Sequence, residues 1–161
     1  MNKLRINNID LIIYDFDGVM TDNKVYVDQN GKEMVQVNRA DGLGISEINK
    51  LGIKQIIIST EKNPVVSKRA QKLDLIYFQG VKDKKHTLIN FCKKNKIDLN
   101  NVAYIGNDIN DLEVMEIVKY TFCPSDSHNS IKKISRYTLK SRGGEGVIRE
   151  LFDLLTNTKG D

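Results

Sequence analysis

Two aspartates one residue apart, Asp15 and Asp17 in DFDG, follow directly on the apolar run LIIY at 11–14. Two carboxylates at i and i+2 on a turn reach one crevice while taking unequal roles: one can attack phosphorus, the other can handle protons. An isolated DxD says little, because aspartates commonly end strands and begin turns. Ser59 and Thr60 follow a second apolar run, QIII at 55–58, and a hydroxyl there can hydrogen-bond a phosphoryl oxygen. Lys84, in a segment at 81–85 that holds three lysines, opens a helical pattern where its ammonium can offset phosphoryl charge. The GNDIND segment at 106–111 sets Asn107, Asp108 and Asp111 on an oxygen-rich loop running into a helix. Carboxylates and amides of that kind suit magnesium, although a helix N-terminus also favours acids for its own sake. A DxD, a hydroxyl, a lysine and an acidic loop after separate strands make a joint signal that none of them makes alone.

The elements that must bring these residues together are short apolar strands alternating with helices. Strands are expected at 11–14, 55–59, 76–78 and 102–105, with helices at 42–51, 63–73, 84–94, 111–118 and 147–155. Gly52 closes the first helix, and Asn63-Pro64 opens the second. The stretch at 25–38 alternates on both sides of Asn30-Gly31, so it reads as a two-stranded flap with a tight two-residue turn. Strand–helix alternation implies an α/β fold, doubly wound about a mainly parallel sheet, in which ligands bind beyond the carboxyl ends of the strands. The flap is the one insertion, with no room for a large cap, and a glycine-rich tail covers about 141–161.

At 161 residues the chain fits one domain, and its hydrophobic fraction of 40% and charged fraction of 29% are ordinary for a globular protein. No apolar run approaches the roughly 20 residues that span a bilayer, and MNKLRINNID has no apolar leader core, so a cytoplasmic protein is expected. Cys92 and Cys123 form no CxxC or Cys/His cluster and read as buried free thiols. A net charge of +4, with lysines scattered and few interleaved aromatics, fits an anionic small substrate and not a nucleic acid. His86 and His128 sit in no ligand spacing, and neither a GxxxxGK[ST] nor a GxGxxG segment occurs.

Across nearly the whole chain these segments resemble the haloacid dehalogenase superfamily: DFDGV, the hydroxyl at Ser59, Lys84 and GNDIND match its four motifs. More narrowly, DGVMTD, the flap, NRADGLGI, QGVKDK, VAYIGNDIND and RGGEGVIREL resemble the capless phosphatases of 3-deoxy-D-manno-octulosonate 8-phosphate. The resemblance implies attack by Asp15, proton transfer by Asp17, and Ser59 and Lys84 on the phosphoryl group. It implies magnesium held by a carboxylate oxygen of Asp15, the main-chain carbonyl of Asp17 and a side chain among Asn107, Asp108 and Asp111. It also implies a homotetramer whose flaps pack together and whose tail, with Arg142, Gly143 and Gly144, reaches a neighbouring substrate site. Two departures stand out. Asn107 occupies a position where many relatives carry aspartate, and Ser59-Thr60-Glu61 replaces the usual Thr-Gly-Arg. Thr60, Glu61, Arg69 and Lys72 look more like the related enzymes of nine-carbon, sialic-acid-type 9-phosphates, and the expected substrate leans that way.

Two rivals remain. One is a noncatalytic assembly module like the C-terminal part of some sialic-acid cytidylyltransferases, which Asn107 favours and Asp15, Asp17, Lys84 and Asp111 oppose. The other is a signalling receiver, which needs an acceptor aspartate after its third strand and finds no obvious counterpart here.

Overall fold

An apolar run with no alternation must be covered on both faces, and LIIY is: all four residues of β1 (Leu11–Tyr14) are buried. In the computed structural model, which describes residues 8–157, β1 lies in the middle of a six-stranded sheet. The reading for a secretory leader falls largely outside the described residues, as does the end of the expected tail.

In chain order, β1 is followed by the flap strands β2 (Tyr26–Val27) and β3 (Glu33–Met34), then by α1 (Arg39–Lys50), β4 (Lys54–Ile58), α2 (Val65–Lys72) and β5 (Ile76–Phe78). Next come α3 (Lys84–Asn95), β6 (Val102–Ile105), α4 (Leu112–Met115), β7 (Tyr120–Cys123), α5 (Asn129–Ile134), β8 (Tyr137–Thr138) and α6 (Val147–Asn157). The sheet order is β5-β4-β1-β6-β7-β8, and every pairing in it is parallel. Ile12 and Tyr14 face a core shared with Ile45, Ile48, Val66 and Leu151, so α1, α2 and α6 cover that side. Leu11 and Ile13 face Leu88, Cys92, Val114 and Ile131, which brings α3, α4 and α5 to the other. The fold is doubly wound α/β. Each fully buried aliphatic side chain contributes about 1.5–3 kcal/mol, and both layers are built from them.

The winding reverses at β1, whose neighbours are β4 on one side and β6 on the other. Tyr14 registers with Ile57 and with Ile105, so the residues after these three strands emerge along one edge. That edge, at the switch between β1 and β6, is where an open parallel sheet offers a crevice. Among the described residues no helix is long and apolar enough to cross a membrane.

Several expectations are corrected. α1 begins at Arg39, three residues early, because the Asn38 side chain accepts from the Ala40 amide at 2.8 Å and caps it there. The expected helix at 111–118 is instead a 3-10 turn, Ile109–Asp111, followed by the four residues of α4. Strands β7 and β8 and helix α5 lie in a stretch that the periodicity left unassigned. The flap turn is also different: Asp28 and Lys32 close the loop, Gly31 takes φ +75° and Asn30 does not enter the left-handed region. That is a three-residue loop with glycine at its left-handed position, not a two-residue turn. The base of the flap packs on its own domain through Val35 and Val37, while its hairpin strands stay open, with Tyr26 71% and Met34 65% exposed.

Candidate active site

Asp15 leaves β1 with its amide still bonded to the Ile105 carbonyl at 3.0 Å, so its position is set by the sheet. Its Oδ1 accepts from the Phe16 amide at 2.7 Å and lies 2.9 Å from Lys84 Nζ, which leaves Oδ2 turned to Asn107. Lys84, at the start of α3 and 3% exposed, also lies 2.7 Å from Asp111 Oδ1. One ammonium thus bridges two buried carboxylates from different loops. Burial and the charge of Asp111 push the Asp15 carboxyl up to about 8, against the opposing pull of Lys84 and the Phe16 amide. Burial alone would lower the Lys84 ammonium, but Asp15 and Asp111 overcome it and raise it.

Asp17 sits where the chain turns back over the crevice. Gly18 takes φ +79°, and a Cβ there would overlap the Asn107 amide, so only glycine allows that side chain to lie against the loop. Thr21, fully buried, holds the turn: its Oγ1 accepts from the Gly18 amide at 3.2 Å and the Asn23 amide at 3.1 Å, and donates to Asp17 Oδ1 at 3.3 Å. The Asp17 carboxyl is raised by burial and next by the charge of Glu61, with Glu33 of the flap adding to it.

Asp111 is completely buried, and protein donors take both its oxygens. Oδ1 receives Lys84 and the Tyr104 hydroxyl at 2.8 Å; Oδ2 receives the amides of Asn107 at 2.9 Å and Asp108 at 3.4 Å. Such a carboxylate has no lone pair left for an ion, so Asp111 braces the loop and Lys84. Asp108 accepts from the Ile109 amide at 2.7 Å and lines the crevice.

The Asn107 amide presents its inward atom 3.2 Å from Asp15 Oδ2 and 2.9 Å from the Asp17 carbonyl oxygen. With nitrogen inward it donates to both. With oxygen inward, the Asn107 oxygen lies 3.2 and 2.9 Å from two other oxygens, close to the edge length of about 3 Å of an oxygen octahedron around magnesium. Asp15, the Asp17 carbonyl and Asn107 therefore fit a small hard cation. Among the described residues no group of three His, Cys, Asp or Glu side chains does so.

These groups open on a cavity of about 360 Å³ lined by Asp15, Asp17, Asn23, Ser59, Thr60, Asn107, Asp108, Ile109 and Asn110. Ser59 is buried just past β4, its amide bonded to the Phe78 carbonyl at 2.8 Å. Thr60 Oγ1 accepts from Asn110 Nδ2 at 3.4 Å. Glu61 accepts from the Lys62 and Asn63 amides at 2.6 and 2.7 Å, forming its own loop while its charge bears on Asp17. The other residues read as substrate contacts lie elsewhere in the chain. Arg69 donates to the Asn38 carbonyl at 3.0 Å, beside Asp41, and Lys72 is exposed in the last turn of α2. Arg142 lies 3.7 Å from Asp126, and the Gly143 and Gly144 amides bond to Asp126 Oδ1 at 2.9 Å and the Val19 carbonyl at 3.0 Å. A Cβ on either glycine would collide with backbone at 18–22, so this segment props up the active loop.

A chain with this site matches, over residues 1–151, the family model described as haloacid dehalogenase-like hydrolase. The chain belongs to that family. Among the relatives of this haloacid dehalogenase-like hydrolase is the 3-deoxy-D-manno-octulosonate 8-phosphate phosphatase of Salmonella typhi. It is 34% identical over 97% of this chain and 84% of the relative. The solved phosphatase of the same name from Yersinia pestis superposes with a TM-score of 0.91 at 31% identity, covering 96% of this chain and 84% of that one. That of Moraxella catarrhalis, in complex with a magnesium ion, a phosphate ion and a KDO molecule, gives 0.90 at 28% identity, over 95% and 88% of the two chains. The neighbours share the mainly parallel sheet, and this hydrolase carries only a hairpin where a cap would stand. Sequence reasoning missed Thr21, Asn23, Tyr104 and Asn110. A threonine four residues after Asp17 was the one visible hint, since that spacing returns a side chain to the turn.

Proposed function

We propose that this chain is a magnesium-dependent phosphomonoesterase that hydrolyses 3-deoxy-D-manno-octulosonate 8-phosphate through phosphoryl transfer to Asp15. The convergence of Asp15 Oδ2, the Asp17 carbonyl and the Asn107 amide, beside an aspartate already held by Lys84, carries this reading. The substrate follows from the names of relatives that cover nearly the whole chain. The expected lean to nine-carbon acids loses support, because Arg69 and Lys72 do not line the cavity.

An Asp15 oxygen attacks phosphorus in line as the P–O bond to the sugar breaks. Asp17, kept protonated to higher pH by burial and by Glu61, gives its proton to the departing alkoxide. The Asp17 carboxylate then takes a proton from water as that water attacks the phosphoryl group on Asp15, releasing phosphate and restoring the carboxylate. Ser59 donates a hydrogen bond to a phosphoryl oxygen, and Lys84 steadies Asp15. The Asp15 carboxylate, the Asp17 carbonyl and Asn107 would hold magnesium, which would supply the positive charge against phosphoryl oxygens that no cationic side chain lining this cavity provides.

The described residues work as one catalytic domain in a cytoplasmic homotetramer. The exposed apolar flap supports self-association, and the free, buried Cys92 and Cys123 support a reducing compartment. Phosphate release with magnesium from octulosonate 8-phosphate, nine-carbon 9-phosphates and simple sugar phosphates tests the reading. The 8-phosphate is expected to turn over fastest, with Asp15→Asn abolishing release. No release from any ester, with no magnesium binding, would instead leave an assembly module.

A further inference from the structure

The floor of the cavity, formed by Asp15, Asp17, Ser59 and Asn107, is what the phosphatase reading uses for the phosphoryl group, and the present inference rests on that reading. What remains of the lining is a rim of Asn23, Thr60, Asp108, Ile109 and Asn110. Lys84 is absent from the lining, since it is spent on Asp15 and Asp111, and among the described lining residues none is cationic. Across Thr60, Ile109 and Asn110 this rim adjoins a second cavity that carries Lys82, Lys84 and Lys85. Inside the first cavity the part of the leaving group beside the ester meets neutral and acidic groups, and a carboxylate there would face Asp17 and Asp108. A hydroxyl would find two carboxamides, each able to donate and to accept.

Asn23 is an exposed residue with φ +65°, the left-handed region that asparagine enters at modest cost. Its amide is tied to Thr21 Oγ1 at 3.1 Å, while its side chain has no hydrogen-bond partner among the described residues. Both ends of its carboxamide are thus free at the cavity. Asn110 is steadied by its bond to Thr60, which leaves its carbonyl oxygen to accept.

We propose that Asn23 and Asn110 are specificity-determining residues that bind the hydroxyl on the carbon next to the phosphoester. The rim then selects the polyol end of a sugar-acid phosphate, and the acid end is not read in this cavity. Octulosonate 8-phosphate and a nine-carbon 9-phosphate both carry that hydroxyl, so the same device would accept either.

The test compares phosphate release from glycerol 1-phosphate, which has the hydroxyl, with release from propyl phosphate, which lacks it. Wild type, Asn23→Gly and Asn110→Ala are measured with magnesium. Glycine takes φ +65° without strain, so the first variant keeps the loop. The wild type is expected to prefer glycerol phosphate in kcat/KM, and each variant to cut that preference by roughly 3- to 10-fold, the size of one lost hydrogen bond. A merely structural role would slow both esters together and leave the ratio where it was. An unchanged ratio in both variants, or a wild type with no preference, overturns the proposal. Release that persists in Asp15→Asn, or no release by wild type from either ester or from octulosonate 8-phosphate, sinks the phosphatase reading itself and takes this inference with it.

Discussion

Asn107 is an amide in the loop at 106–111, and its surroundings say what an amide does there. Its amide reaches Asp15 Oδ2 and the Asp17 carbonyl, and it can turn either a nitrogen or an oxygen toward them. Without a cation the nitrogen satisfies both acceptors; in the proposed site the oxygen would serve as ligand. An aspartate there could do only the second. Asn107→Asp should therefore melt a few degrees lower than wild type in a chelator, where it adds a carboxylate beside Asp15, and recover or exceed it with magnesium. Its apparent magnesium affinity should rise about tenfold, since a charged ligand replaces a neutral one. Melting curves with and without metal, and a magnesium titration, check both. If Asn107→Asp behaves like wild type in each medium, Asn107 does not belong to the metal set. Asp111 could not have been separated from the ligands by reading GNDIND, because its saturation by Lys84, Tyr104 and two amides is a property of packing.

Helix α1 and helix α6 pack side by side, and one carboxylate joins them. Asp41, in the first turn of α1 and buried, accepts through Oδ1 from the Ile148 amide at 2.9 Å and the Arg149 amide at 3.3 Å, at the start of α6. Its Oδ2 has no hydrogen-bond partner among the described residues. Burial pushes this carboxyl up to about 6 from an ordinary 3.8, although the two amides and Arg69 pull it down. The folded state thus holds a proton that the unfolded chain gives up earlier. Its contribution is complete below about pH 4 and is lost as pH rises through 6, at about 3 kcal/mol in full. Asp41→Asn carries no such charge, so its stability relative to wild type should improve by up to about 3 kcal/mol between pH 4 and 7.5. Urea unfolding at several pH values measures that difference. A difference that stays flat across the range would mean that Asp41 ionises normally in the fold. The motif NRADGLGI shows the aspartate plainly, but nothing in its spacing names a partner 107 residues away.

At the scale of the whole molecule, the flap is the feature that one chain leaves unfinished. Tyr26, Val27 and Met34 are large, apolar and largely exposed on a hairpin of two-residue strands, which is marginal without a partner. If flaps pack together in a homotetramer, Val27→Glu with Met34→Lys should shift sedimentation from tetramer toward monomer while circular dichroism stays unchanged. A wild type that sediments as a monomer, or a double variant that stays tetrameric, would place the assembly elsewhere. Arg69, Lys72 and Arg142 are likewise absent from the lining of the cavity in their own chain.

The sequence by itself determined the central strands and which polar residues stand at their ends. Runs such as LIIY and VAYI are apolar at every position, which forces burial on both faces, and the first polar residue after such a run must emerge at the sheet edge. That reasoning is local, and it located Asp15, Asp17, Ser59 and the 106–111 loop. The tertiary structure alone decided how those polar groups divide their bonds. It set Lys84 between Asp15 and Asp111, laid Asn107 against Gly18, and brought Asn23 and Asn110 to one rim. It also gave the glycines at 143–144 to the back of the active loop, because only a residue without Cβ lets two backbones come so close. Residue type and spacing limit what a group can do. Which partner it finds depends on chain segments far apart in sequence, and only the packed sheet brings them within hydrogen-bond distance.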